Sequence, residues 1–384
     1  MSEYQYYEFL AIDRPLTMDE MAELRALSTR ATITPVSFTD EYNWGNFASN
    51  PHKLMQRYFD AHVYVANWMT AIFMVRLPME ALTQETVKAV AVPYLLDIKA
   101  TKTHWIITWS LEESENYDRF GMEDSHGWMA RLAPVRDELL RGDLRSLYIG
   151  WLAAVTREMM DDDDVEPLSV GGLASLTAAQ QALAEFLEVG PDLLAGAGMG
   201  SPAAQETEVS RREMEQWIDA LPREEVNSIL KQLLEGKGQQ AKRSIRNRFA
   251  SWWRGLQTGD TDAPRRTVGE LRQNAEKARL IRMEKQKRDR KQREIKRREK
   301  RKAYLKNLSS GFPKAWASVK ESVERGSGRG YDEACRILVD IAEAYDLFAT
   351  KKQFQQELKN FMAGHLRRKA LIQRLVKAGI WKEE

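Results

Sequence analysis

A helix in a folded protein needs an apolar stripe to bury, and the stretch from Lys277 to Lys302 has almost none. It reads KARLIRMEKQKRDRKQREIKRREKRK, with fifteen Lys or Arg against four acids (Glu284, Asp289, Glu294 and Glu299), a net of +11. From Glu284 to Lys302 the single clearly aliphatic residue is Ile295. The whole chain sums to +2, so everything outside the stretch carries −9. A basic segment thus sits inside an acidic protein, and it must stand in solvent or lie along something strongly charged.

The segment nonetheless reads as helix. Thr267 and Glu270 form a capping box at its start, the hydroxyl taking a free backbone N–H and the carboxylate reaching back. The acids recur every five residues, and each step turns about 140° on a helix of 3.6 residues per turn. Each acid finds a base about one turn on: Glu284 with Arg288, Asp289 with Arg293, Glu294 with Arg298, Glu299 with Lys302. Such pairs contribute about 0.2–0.5 kcal/mol each. As a helix, Lys277–Lys302 spans about 39 Å.

A chain of 384 residues has room for two or three domains at about 100–200 residues each. An apolar content of 43% with 11 Trp supplies enough side chains for packed cores. The single Cys335 excludes a disulfide framework and a cysteine-built zinc site, which fits a reducing compartment. The N-terminus shows no basic and apolar leader, and no run reaches about 18 consecutive apolar residues. The expectation is a cytoplasmic protein that does not engage membranes, since the basic helix has no apolar face to insert.

The expected class is α+β, with a small mixed sheet at the N-terminus, a helical middle, a long charged helix and a C-terminal helical bundle. Residues 1–160 form the α+β head. Tyr4–Ile12 reads as a strand stopped by Pro15, and a capping box at Thr17 and Glu20 opens a helix to about Ser28. Ala31–Phe38 reads as an edge strand carrying Pro35, His52–Asn67 as a helix, and Thr70–Leu77 as a short apolar run. Thr103–Leu111 is the clearest strand. Alternating strands and helices predict a sheet with helices on one face.

From Ser125 to Met160 the pattern is helical and ends at Asp161–Asp164. Four contiguous carboxylates lack the alternate spacing that wraps ligands around a hard cation, so the block reads as a solvated linker. Residues 168–260 are helical, with a capping box at Thr177 and Gln180 and a Gly-rich linker over 195–205. Its glycines lack the strand and Lys-Ser/Thr context of a phosphate loop. The helix Ala241–Leu256 carries Trp252 and Trp253 beside Lys242, Arg243, Arg246, Arg248 and Arg254; the tryptophans suit either core packing or stacking. The long basic helix then covers 265–308 and the helical tail 311–384.

No catalytic constellation emerges. His52, His62, His104, His126 and His365 form no metal-ligand spacing. Glu123, Asp124, Ser125 and His126 are sequence neighbours, whereas a nucleophilic triad is assembled from separate elements. The expected catalytic residues, metal ligands and cofactors are therefore none. The candidate site is the basic helix: Lys285, Lys287, Arg288, Arg290, Lys291, Arg293, Lys296, Arg297, Arg298 and Arg301 would neutralise phosphates of nucleic acid without reading sequence. This makes the chain a non-enzymatic adaptor with nucleic-acid and protein partners. The other reading is a protein–protein scaffold in which the helix is a solvated spacer or docks an acidic protein surface.

The opening YYEFLAIDRPLT (6–17), ITPVSFTDEYNWG (33–45) and LTAAQQALAEFLEVGPDLLA (176–195) resemble a family of uncharacterised bacterial proteins over most of the chain. The tail stretches YDEACRILVDI (331–341) and HLRRKALIQRLVKAGI (365–380) are similar to C-terminal segments of some bacterial SWIM zinc-finger proteins. The cysteines of such a finger are missing, so zinc binding and DNA recognition by that route do not carry over. The resemblance implies a shared architecture and no activity.

Overall fold

The computed structural model describes residues 4–45, 47–112, 125–203, 211–256 and 264–382. It divides into two compact units, Met1–Ile281 and Arg282–Glu384.

The first unit is built on seven strands: β1 (Gln5–Leu10), β2 (Thr32–Thr34), β3 (Ser37–Tyr42), β4 (Ala61–Ala66), β5 (Thr70–Pro78), β6 (Leu96–Ala100) and β7 (His104–Leu111). They form one sheet in the order β2-β3-β1-β4-β5-β7-β6, with every pairing antiparallel. Two local expectations are corrected. Ala31–Phe38 is not one edge strand, because Pro35 has no N–H to offer a ladder and the chain turns back there, pairing Thr34 with Ser37. His52–Asn67 is not one helix. Asn50 caps a short α-helix, Pro51–Arg57, and Ala61–Ala66 is taken up between β1 and β5, where its alternating residues serve both faces.

Helices cover both faces of the sheet, where one was expected. Counting the helix before it, α1 (Met18–Leu27) and α2 (Pro51–Arg57) pack Leu24, Leu54 and Met55 against Phe9, Phe38, Met74 and Ile106. The opposite residues of the same strands, among them Val63, Val65, Phe73, Val75, Ile107 and Trp109, face a larger core. That core is closed by α3 (Gln84–Val90), α4 (Trp128–Leu132), α5 (Pro134–Leu140), α6 (Arg145–Thr156), α7 (Ala178–Phe186) and α8 (Pro191–Gly198).

Helix α6 is apolar nearly all round and is buried from Ser146 to Val155. It lies so close to β7 that a Cβ on Gly150 would meet Trp109 at 2.8 Å, and the Trp109 indole donates to the Ser146 carbonyl at 3.2 Å. Between β5 and α5, the buried Arg136 donates to the Arg76 carbonyl at 2.8 Å and to Asp13 at 2.7 Å. Arg76 in turn bridges Asp60 at 2.7 Å. This internal charge cluster ties the α5 side of the core to the strand ends.

Three further helices follow: α9 (Arg211–Asp219), α10 (Arg223–Leu234) and α11 (Gly238–Leu256). Trp217, Phe249, Trp252 and Trp253 gather between α9 and α11 with ring centroids 5.0–6.5 Å apart. Trp252 and Trp253 therefore pack on aromatic neighbours while staying half-buried. Helix α12 (Val268–Ser309) is the long basic helix. Its first turns lend Val268 and Leu271 to the larger core.

The second unit takes up α12 from Arg282 and adds α13 (Phe312–Glu324), α14 (Gly328–Phe348), α15 (Lys351–Ala363) and α16 (Lys369–Lys377). Val319, Val323, Leu338, Ile341, Leu358, Met362, Leu371 and Leu375 form its core. The protein is thus α+β, an antiparallel sheet followed by helices.

Candidate nucleic-acid interface

The basic helix is anchored at its start by the expected capping box: the Thr267 N–H donates to Glu270 at 2.8 Å and the Glu270 N–H to the Thr267 hydroxyl at 3.2 Å. Just before it, Arg266 reaches across to Glu166 and the end of α8. Its guanidinium pairs with buried Glu166 at 2.6 Å and donates to the carbonyls of Ala197 and Met199 at 2.9 and 2.6 Å. The Tyr148 hydroxyl donates to the same carboxylate. Burial, and then the Glu166 charge, push the Tyr148 phenol far above its usual range.

The four aspartates expected as a plain linker are exposed, as that reading required, yet they also dock the helix. The N–H groups of Val268 and Gly269 donate to the carbonyls of Asp164 and Asp162 at 2.8 and 2.9 Å, and Arg272 pairs with the Asp162 carboxylate. Acids beside a helix N-terminus also complement its dipole. The Gly-rich stretch expected as a linker begins inside α8, where Gly196 lets the backbone of Ala275 approach; a Cβ there would lie 2.5 Å from the Ala275 nitrogen. Residues 204 and 205 lie outside the described residues.

Beyond Ala278 the helix leaves the core. Every residue from Arg279 to Lys300 is exposed except Asp289, which is half-buried. Nine of the ten candidate residues, Lys285, Lys287, Arg288, Arg290, Lys291, Arg293, Lys296, Arg297 and Arg298, lie in this exposed span. Of the pairs expected along it, Glu294–Arg298 closes at 2.6 Å, which occupies Arg298 in part. Arg301 is placed differently: it is half-buried, pairing with Asp340 at 2.6 Å and Glu343 at 2.5 Å on α14. The Glu343 hydrogen bond, set against partial burial and joined by Asp340, raises its pKa above the usual guanidinium value. Next to it the Tyr304 hydroxyl donates to Asp340 at 2.9 Å. Arg301 thus fastens the end of α12 to α14 within the second unit. An arginine within such a run looks like any other until the acids of α14 are placed beside it.

The division into units sharpens the charge contrast. Residues 282–384 hold 28 Lys or Arg against 14 acids, a net of +14, which leaves −12 on residues 1–281. No protein-family model, curated protein or solved structure matches the chain. The site therefore has to be read from its own chemistry.

That chemistry is electrostatic. Among the described residues, no group of three or more His, Cys, Asp or Glu is arranged to hold a metal ion. The Ser125 hydroxyl shares a 2.9 Å hydrogen bond with Tyr4, whereas His126 faces Glu41 at 3.4 Å and packs edge-on against Tyr6. Glu123 and Asp124 lie outside the described residues. Among the described residues no helix is long and apolar enough to cross a membrane. One surface escaped the sequence reading: α10 buries none of its residues, leaving Leu230, Leu233 and Leu234 exposed, with Ile218 of α9 exposed as well.

Proposed function

We propose that the protein is a non-enzymatic adaptor whose basic helix contacts the phosphates of nucleic acid without reading sequence. The observation that carries this reading is the exposed span Arg279–Lys300, in which nine candidate basic side chains stand in solvent on all sides of a capped helix. A segment that contributes so little to any core stays charged because charge is its use. Neutralising phosphates releases condensed counterions, and that release drives binding to any sequence. The exposed apolar residues of α9 and α10 favour a protein partner as well, which suits an adaptor and is also the strongest support for a pure protein scaffold.

The test compares two unrelated oligonucleotides at two salt concentrations. Both should bind with similar affinity and weaken together as salt rises. Replacing Arg288, Arg290, Arg293, Arg297 and Arg298 by Gln should abolish most of the binding, because these are exposed residues whose loss leaves every core intact. Unchanged binding by that variant removes the helix from the interface.

A further inference from the structure

Between α13 and α15, in the unit that begins at Arg282, lies a groove of about 760 Å³. Its wall is aromatic. Trp316 lies 5.7 Å from Phe361, and Phe361 lies 4.7 Å from His365, centroid to centroid. Phe361 lies in the last turn of α15 and His365 in the turn just after it, and both line the groove. Lys320, one turn beyond Trp316, is exposed at its rim. The His365 Nδ1 is buried without a hydrogen-bond partner, which is uncommon in a wall built only for packing. Burial, then the charges of Arg368 and Lys320, lower the His365 pKa. The ring is therefore neutral near pH 7 and offers an uncharged flat face.

We propose that this groove takes a base of a single-stranded nucleic acid whose phosphates lie on the basic surface of the same unit. The inference rests on the phosphate-binding reading and narrows it. A base is planar and stacks on aromatic side chains whatever its identity, which suits a protein with no base-reading pattern. The unit's net charge of +14 favours a polyanion on its surface; of the charged residues lining the groove, Lys320 would meet a flanking phosphate, and Glu357 would turn the strand toward the Lys320 side. A duplex keeps its bases paired and stacked, so it would gain nothing from the groove.

The experiment uses the full chain and three labelled ligands of equal length, about 15 nucleotides. They are a mixed-sequence single strand, an abasic deoxyribose-phosphate strand and a duplex. The base-bearing single strand should bind about tenfold tighter than the abasic strand. Ala317→Leu, at an exposed position lining the groove, should fill it and reduce that preference to nothing while abasic binding and the melting temperature stay unchanged. The rod variant with five Arg→Gln changes should weaken both single strands alike, which separates the two claims. Equal affinity for base-bearing and abasic strands, or a preference that survives Ala317→Leu, overturns the groove proposal and leaves the phosphate reading standing. It is also the result expected if the groove instead holds an apolar side chain of a protein partner. Binding to none of the three ligands overturns both.

Discussion

His62 is wholly buried on β4, its ring stacked on Phe9 with centroids 3.9 Å apart. Its Nδ1 sits 3.0 Å from the Glu8 carbonyl; an oxygen there accepts, so Nδ1 carries a proton, and the buried Nε2 has no acceptor beside it that would favour a second. Burial pushes its pKa down to about 3, against about 6.5 in an unfolded chain. Between those values the unfolded state binds a proton that the folded state refuses. Stability therefore falls as pH drops through that window, by up to about 1.4 kcal/mol per unit from this group. His62→Phe should flatten the slope when urea midpoints are compared at about pH 7 and about pH 4.5; a slope unchanged by the substitution would assign the acid sensitivity elsewhere. Arg136 supports a second prediction at this scale. Burial opposes the charge on Asp60, and Arg136 and Arg76 outweigh it, holding that carboxyl below its usual range. Arg136→Met takes the guanidinium from half-buried Asp13 and a second cation from buried Asp60, which keeps Arg76, and should cost about 3 kcal/mol in denaturant unfolding. A loss below about 1 kcal/mol would mean that water or a neighbouring cation replaces the guanidinium.

At the level of elements, the start of α12 depends on one buried carboxylate. Glu166 accepts from Tyr148, from the Arg266 guanidinium and from the Arg266 N–H. Glu166→Gln should lower stability by about 2–4 kcal/mol and speed amide exchange over residues 268–275 ahead of global unfolding; exchange that changes no more there than elsewhere would show the anchor to be redundant. The capping boxes at Thr17, Thr177 and Thr267 were legible because a cap is decided by four neighbouring residues. The strands β1 and β7 were legible from dense aromatic and β-branched runs, whereas β5 showed only as a short apolar run. Ala61–Ala66 was not, because AHVYVA flanked by Tyr58, Phe59 and Trp68 suits a helical stripe as well as a strand. Only the places on either side, filled by β1 and β5, decide it. Gly196 misled for a similar reason: its role is set by the backbone of Ala275, distant in sequence. The second helical face of the sheet was hidden likewise, since alternation along β4 and β5 is apolar on both sides.

For the whole molecule, charge segregation is the governing fact: +14 beyond Ile281 and −12 before it. The run itself was plain in the sequence, and so were the nine residues that stand exposed; the structural use of Arg301 was not, because it depends on Asp340 and Glu343 of α14. Basic residues surround the helix, so about half of the nine can face a polyanion at once. The measurement that tests this most directly is the salt dependence of binding by the full chain to a mixed-sequence oligonucleotide. Each phosphate neutralised adds about −0.9 on duplex, or about −0.7 on a single strand, to the slope of log K against log salt. A slope of about −3 to −4 is expected, falling to about half that when Arg288, Arg290, Arg293, Arg297 and Arg298 become Gln. A flat salt response, or a steep one that the five substitutions leave intact, would contradict the account.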